Sequence, residues 1–280
     1  MRSTTCSGIS RRLRFGTGAL ALAAVAVAAQ AQQPVMLDGS SGMMPLARAL
    51  AKSYREQAPD AVIETGKGLG TGARLRALAE GRIQVALASH GIDPEEVRKR
   101  NLRVIEIARG AIVFAVNESV PIADVTEAQV CDIFSGRAAT WKAVGGPDRP
   151  IAAFTRPPNE VDPEVIREKI ACFRALEQPD SVKVMAHGGE MARALAETPH
   201  AVGMTSMTVV EQSAGRVKAL RLNGVEATPE NVKSGRYPLS RQFFFVVAGE
   251  APPEVEKFIA FVLSPAGERV IRANGAIPMR

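Results

Sequence analysis

From Pro34 onward the chain alternates short apolar runs with amphipathic stretches, and this rhythm is the pattern of an α/β protein built on largely parallel sheets. Val35 to Leu37 predicts a strand. Pro45 to Gln57 predicts a helix, with Leu46, Leu50 and Tyr54 on one face at four-residue spacing. Strands follow at Ala61 to Glu64, Ile83 to Ala88, Val104 to Ala108 and Ala111 to Val116, with helices at Ala73 to Glu80 and Pro94 to Arg100. The rhythm breaks at Asn117 to Pro121, which marks a crossing into a second block. There Thr126 is the expected N-cap of a helix ending at Phe134, and Asp162 to Ala175 reads as another helix. Phe243 to Val247 reads as a central strand returning to the first block. Pro253 to Leu263 and Pro265 to Ala273 close the chain as helices.

Residues before this pattern have a different character. Arg2, Arg11, Arg12 and Arg14 precede the apolar run Ala19 to Ala29, and Ala29-Gln30-Ala31 places small residues where a signal peptidase cuts. We therefore expect residues 1–31 to be a cleavable leader and the mature protein to be periplasmic. The apolar run is about half of the roughly 20 residues that span a bilayer. The leader carries no acid, so removing it leaves thirty-one basic against twenty-nine acidic residues, a balance that argues against a nucleic-acid partner. Cys131 and Cys172 are the only cysteines of the mature chain, and an oxidising compartment favours a disulfide between them.

Three strand-to-helix turns of the first block are rich in glycine and hydroxyl residues: Asp38 to Gly42, Gly66 to Gly72, and Ala88 to Gly91. In an open parallel sheet such turns gather at the carboxyl ends of the strands, where free backbone N–H groups and helix dipoles favour an anion. Gly68 to Ala73 fits a loose dinucleotide fingerprint, but it sits in the second strand-turn-helix unit and its downstream acid would be Asp93, before a proline. Neither a nicotinamide nor any other cofactor is expected. The three histidines show no metal-ligand spacing, and no metal is expected. A hydrolase using Ser41 or Ser89 with His90 is a minor reading, and no catalytic residue is assigned.

The order of further motifs adds a resemblance. Gly39-Ser40-Ser41 followed by Pro45-Leu46, the glycine loop Gly68 to Gly72, Asp132 to Gly136, Trp141 to Gly146, and a strand ending in Arg156 resemble the periplasmic phosphate-binding proteins of ABC transporters. Tyr237 to Arg241 and Phe261 to Gly267 extend the likeness across the mature chain. The resemblance implies a two-lobed type II periplasmic binding protein fold with two crossover strands, lobe 1 being 32–117 and 238–280 and lobe 2 being 118–237. It implies ligand contacts from Ser40, Ser41, Met43, Met44, Gly70, Thr71, Ser89 and Arg156. Glu160, Val161 and Asp162 stand where the family carries Ser-Gly-Thr after the arginine, so the site is modified there. Two carboxylates at a helix N-terminus repel a dianion and compete for the anion-binding helix end.

The function so implied is a non-enzymatic, monomeric solute-binding protein that captures a small anion, phosphate or another oxyanion or carboxylate, for ABC transporter membrane subunits or a sensor. The alternative is a periplasmic interaction protein with a vestigial cleft filled by Glu160 and Asp162. An ion pair between Arg156 and either acid is the feature that would favour the alternative.

Overall fold

The computed structural model describes residues 34–89 and 92–279, so the expected leader and His90 lie outside the described residues. The first elements are β1 (Val35–Gly39), α1 (Met44–Gln57), β2 (Ile63–Thr65), α2 (Thr71–Ala79), β3 (Val85–Ala88), α3 (Pro94–Lys99) and β4 (Leu102–Asn117). Then come β5 (Asp124–Val125), α4 (Glu127–Phe134), β6 (Ala152–Thr155), α5 (Val161–Lys169), β7 (Lys183–Val184), α6 (Gly188–Glu197), β8 (Ala201–Ser206), α7 (Met207–Gln212) and β9 (Val217–Ala219). The chain finishes with β10 (Arg221–Leu222), α8 (Pro229–Lys233), β11 (Ser240–Ala248), α9 (Pro253–Val262), α10 (Pro265–Ala273) and β12 (Ala276–Pro278).

A ten-stranded sheet runs in the order β2-β1-β3-β11-β4-β8-β6-β7, with β9 and β12 also paired to β4. The expected parallel pairing holds at both ends, where β1 pairs with β2 and β3, and β6 with β7 and β8. The centre differs. β11 runs antiparallel to β3 and β4, and β4 antiparallel to β8, because these are the strands that carry the chain from one half to the other.

The two strands expected at Val104 to Ala108 and Ala111 to Val116 are one 16-residue strand, β4. Gly110 is no turn. A Cβ there would lie 2.5 Å from the Phe243 ring of the neighbouring strand, so the glycine admits an aromatic neighbour while the ladder continues. The helix expected over Asp162 to Ala175 ends at Lys169. Ile170 turns extended (φ −105°, ψ 108°) and buries its side chain. A 3₁₀ turn then brings Cys172 to Cys131 of α4, and the two form a disulfide with Cα atoms 6.2 Å apart.

Two main cores flank the crossing. The larger is assembled from residues between Ala111 and Leu239, with Ile277, and includes Trp141, Phe114, Phe134 and Phe173. The second draws on both ends of the chain, joining β1, α1 and β3 to β11, α9 and α10. Leu46 and Leu50 are buried there as the spacing predicted, and the Tyr54 ring packs 5.3 Å from that of Phe258. Within the larger core the buried Tyr237 hydroxyl donates to the Ile112 carbonyl at 2.9 Å, tying the returning segment to β4. Burial raises the Tyr237 phenol above its ordinary value of 10.0.

Candidate functional site

The turn after β1 is held from below by its own aspartate. Asp38 Oδ1 accepts from the backbone N–H of Gly39 at 2.7 Å and of Gly68 at 2.9 Å, which seats the glycine loop against the first turn. Gly39 has φ +145°, and a Cβ there would sit 2.2 Å from the Leu87 carbonyl, so only glycine lets β1 end this close to β3. The chain then presents Ser40 and Ser41. Ser40 Oγ and Ser89 Oγ, at the ends of β1 and β3, share a buried 2.8 Å hydrogen bond. Ser41 Oγ faces the other half of the molecule.

There it meets Arg156, which follows β6 at its carboxyl end. The buried guanidinium donates from Nη2 to Ser41 Oγ at 3.1 Å and from Nη1 to the Met185 carbonyl at 2.8 Å. Nη2 also lies 3.3 Å from the Glu160 carboxylate, an i,i+4 ion pair whose acid side chain is 32% exposed. Two residues on, Asp162 forms a buried ion pair with Arg241 of β11. Arg241 Nη2 donates to the Gly42 carbonyl at 3.3 Å, and its guanidinium stands 5.4 Å from the centre of the Phe243 ring. A Cβ at Gly42 would come within 2.6 Å of Arg241, so this glycine leaves room for the guanidinium.

A third buried guanidinium feels the charge of Glu160. Arg74 of α2 is 1% exposed, and burial pushes it down to about 10 while the charge of Glu160 pulls it back up. It stays a cation at neutral pH. Arg156 and Arg241 face Glu160 and Asp162 in two ion pairs at one place. The groups surround a cavity of about 10 Å³, lined by the N-terminal ends of α1, α5 and α6 and the carboxyl end of β8. That is room for about one water molecule.

The structure thus brings Ser41, Arg156, Glu160 and Asp162 to one place, with Ser40 and Ser89 paired beside it. Met43 and Met44 belong to the apolar core under α1, so that turn offers its backbone and not their side chains. Gly70 is the N-cap of α2, with open space where a Cβ would stand, and Thr71 is the first residue of that helix. Val161 is buried. Arg74 and Arg241 were not anticipated: Arg74 looks like one of several charges on a helix face, and Arg241 like a polar strand end. The sequence signal for Arg241 is its place just before the apolar run Phe243 to Val247. The hydrogen-bond partners of Ser41 and Ser89 among the described residues are Arg156 and Ser40, neither of them a base that would activate a nucleophile.

Two open grooves reach the cavity. One, of about 550 Å³, shares Pro45, Gly188 and Val209 with it and carries Arg48, Lys52, Arg193 and Arg216 against one acid, Glu197. The other, of about 530 Å³, shares Arg241 and opens past Ser89, Ser240, Glu164 and Glu168. No three acidic, histidine or cysteine side chains among the described residues gather as a metal site, and no described helix is long and apolar enough to cross a membrane.

A small cavity edged by helix N-termini, between two α/β halves joined by crossing strands, is the architecture of a two-lobed binding protein. The family comparison agrees. Residues 24–266 match the family model described as the PBP superfamily domain, and the chain belongs to that family. It is 27% identical over 259 residues to the phosphate-binding protein PstS of Bacillus subtilis, an alignment covering 89% of this chain and 82% of PstS. It is 29% identical over 269 residues to protein SphX of Synechococcus elongatus, covering 88% and 77%. Among solved structures it is similar to one from Clostridium perfringens, assigned as a phosphate ABC transporter substrate-binding protein with bound phosphate. That likeness has a TM-score of 0.74 at 29% identity and covers 89% of this chain and all of the other.

Proposed function

We propose that this protein is an exported solute-binding protein that captures a small anion between its two lobes and delivers it to an ABC transporter. The observation that carries this is the convergence of two buried guanidiniums, Arg156 and Arg241, the Ser41 hydroxyl and three helix N-termini on one small cavity between the lobes. Such a point recognises a negative ligand with oxygen acceptors. Lobe 1 is 32–117 and 238–280 in this reading, and lobe 2 is 118–237. Ser40, Ser41 and Ser89 and the backbone around Met43, Met44, Gly70 and Thr71 supply donors from lobe 1, and Arg156 supplies the charge-assisted contact from lobe 2. The relatives' names make inorganic phosphate the first ligand to try. Closure is a hinge motion about the segments near Asn117 and Tyr237, favoured by a ligand that touches both lobes.

The second reading, a vestigial cleft, draws on the Arg156–Glu160 pair. We favour capture because the Glu160 side chain is a third open to water, so its carboxylate has room to leave Arg156 to a competing anion. The test is calorimetric titration of the mature protein with phosphate, sulfate and small carboxylates, beside thermal melts. A ligand at a hundredfold excess over its dissociation constant adds about 2.7 kcal/mol of apparent stability. Binding abolished by Arg156→Ala supports the reading; no binding of any anion overturns it.

A further inference from the structure

The cavity at Arg156 holds about one water molecule, whereas the basic groove that meets it at Pro45, Gly188 and Val209 has a volume of about 550 Å³. One wall of the groove is α1 and the other is α6 with α7, so in the two-lobed reading it runs along the seam between the lobes. Positive charges stand on both walls. Arg48 and Lys52 lie one turn apart on α1, and Arg193 lies on α6. Arg48 and Arg193 have no ion-pair or hydrogen-bond partner among the described residues. Arg216 gives its Nε to the Ser213 carbonyl at 3.3 Å, and Lys52 has a 3.9 Å contact to the exposed Glu56. The one acid lining the groove is Glu197. Where the groove meets the cavity, α6 starts at Gly188 without a side-chain cap. A Cβ at Gly188 would lie 3.2 Å from the Ser41 carbonyl and one at Gly189 would meet nothing within 4 Å, so the glycine pair brings the start of α6 against the Ser41 turn and leaves the groove open beside it.

We propose that this groove is an outer binding site for a linear oligophosphate, one end of which reaches the cavity at Gly188. The proposal rests on the anion-capture reading above and extends its ligand from a single oxyanion to a chain of them. An oligophosphate spreads its negative charge along an unbranched chain, so it can meet Arg48 and Lys52 on one wall and Arg193 on the other through charge-assisted hydrogen bonds. The side chains between these cations include Ala49, Ala192 and Ala196, and no aromatic ring lines the groove. Small apolar walls leave room for a phosphate chain and give a nucleobase nothing to stack on. A chain held by both walls touches both lobes and therefore favours their closed arrangement.

The experiment titrates the mature protein with sodium orthophosphate and sodium tripolyphosphate in the absence of divalent cations, and follows release of each by stopped flow. Wild type is compared with Arg48→Ala plus Arg193→Ala and with the charge-keeping pair Arg48→Lys plus Arg193→Lys. Both arginines are exposed, so both double variants are expected to melt close to wild type. Charges that only steer an anion change its association rate, whereas charges that touch it change its release. The expected result is tripolyphosphate binding about tenfold tighter than orthophosphate in wild type, and leaving the alanine variant about tenfold faster, with orthophosphate release unchanged and the lysine variant close to wild type. Tripolyphosphate binding no tighter than orthophosphate, or release rates that the alanines leave unchanged, overturns the outer site while anion capture stands. Tripolyphosphate binding that Arg156→Ala leaves untouched overturns the continuity of groove and cavity. Failure of both anions to bind wild type overturns the capture reading and the outer site together.

Discussion

Asp162→Ala removes the carboxylate that accompanies a guanidinium with almost no exposure to water. What remains to Arg241 is one long hydrogen bond to the Gly42 carbonyl at 3.3 Å and the face of Phe243, both already present in the wild type. Breaking one side of a buried pair costs about 3–5 kcal/mol, because the surviving charge is left in a low-dielectric site. For a chain of this size that corresponds to a melting temperature lower by about 6–20 °C. A domain in the middle or upper part of the typical range of about 5–15 kcal/mol stays folded through such a loss. The guanidinium has two ways to recover water: global unfolding, or separation of α5 from β11. Urea melts read the first and small-angle scattering the second, as a larger radius of gyration. Arg241→Met added to Asp162→Ala replaces the stranded charge by an apolar side chain and returns stability to within about 1–2 kcal/mol of wild type. The reasoning fails if Asp162→Ala changes neither stability nor radius, or if the double variant is no better than the single one.

Three other outcomes follow from the geometry. The Cys131–Cys172 bond closes a 41-residue separation, so Cys131→Ser with Cys172→Ser is expected to lower stability by about 4 kcal/mol in the chain-entropy treatment, read by urea melts of the two proteins. Tyr237 keeps its proton in the folded state above the phenol's ordinary value of 10.0, so the native state binds more protons than the unfolded one there and stability falls as pH rises past 10. Tyr237→Phe should lose about 1 kcal/mol at pH 7, from the bond to Ile112, and show a shallower decline at alkaline pH in thermal melts. The basic groove beside the cleft should speed anion capture: Arg48→Ala with Arg193→Ala is expected to lower the association rate several-fold and flatten its salt dependence in stopped-flow measurements, with little change in the dissociation rate.

Much of this architecture is legible locally. Thr126 caps α4 as expected and forms a reciprocal capping box with Gln129, and Ser264 caps α10. Both signals lie within four residues, so no distant partner is needed to read them. The run from Leu102 to Asn117 is different, because the role of Gly110 depends on Phe243, more than a hundred residues away. The end of α5 is set by the burial of Ile170 and by Cys172 meeting Cys131, and neither follows from helical periodicity. The site shows the same division. Ser40, Ser41 and Ser89 announce themselves by turn chemistry, and Arg156 only by its place in the order of motifs that carries the family resemblance. Arg241 becomes a cleft residue, and Arg74 a buried cation that feels Glu160, through tertiary burial, which a single sequence displays only as a charge in an ordinary position.

The strand order β3-β11-β4 also dictates a timetable for assembly. The larger core takes nearly all of its residues from one continuous stretch, Ala111 to Leu239, and its disulfide lies inside that stretch. A chain emerging N-terminus first therefore has the means to complete this half early. The other half has a missing plank. Until Ser240–Ala248 arrives, β3 and the first part of β4 face each other across an empty strand position with unpaired backbone edges, and α1 lacks the α9 and α10 surfaces it packs against. Exposed edges of this kind pair readily with other chains. The last forty residues are thus the keystone of the first seventy, and a chain truncated before β11 is expected to aggregate through its own N-terminal strands.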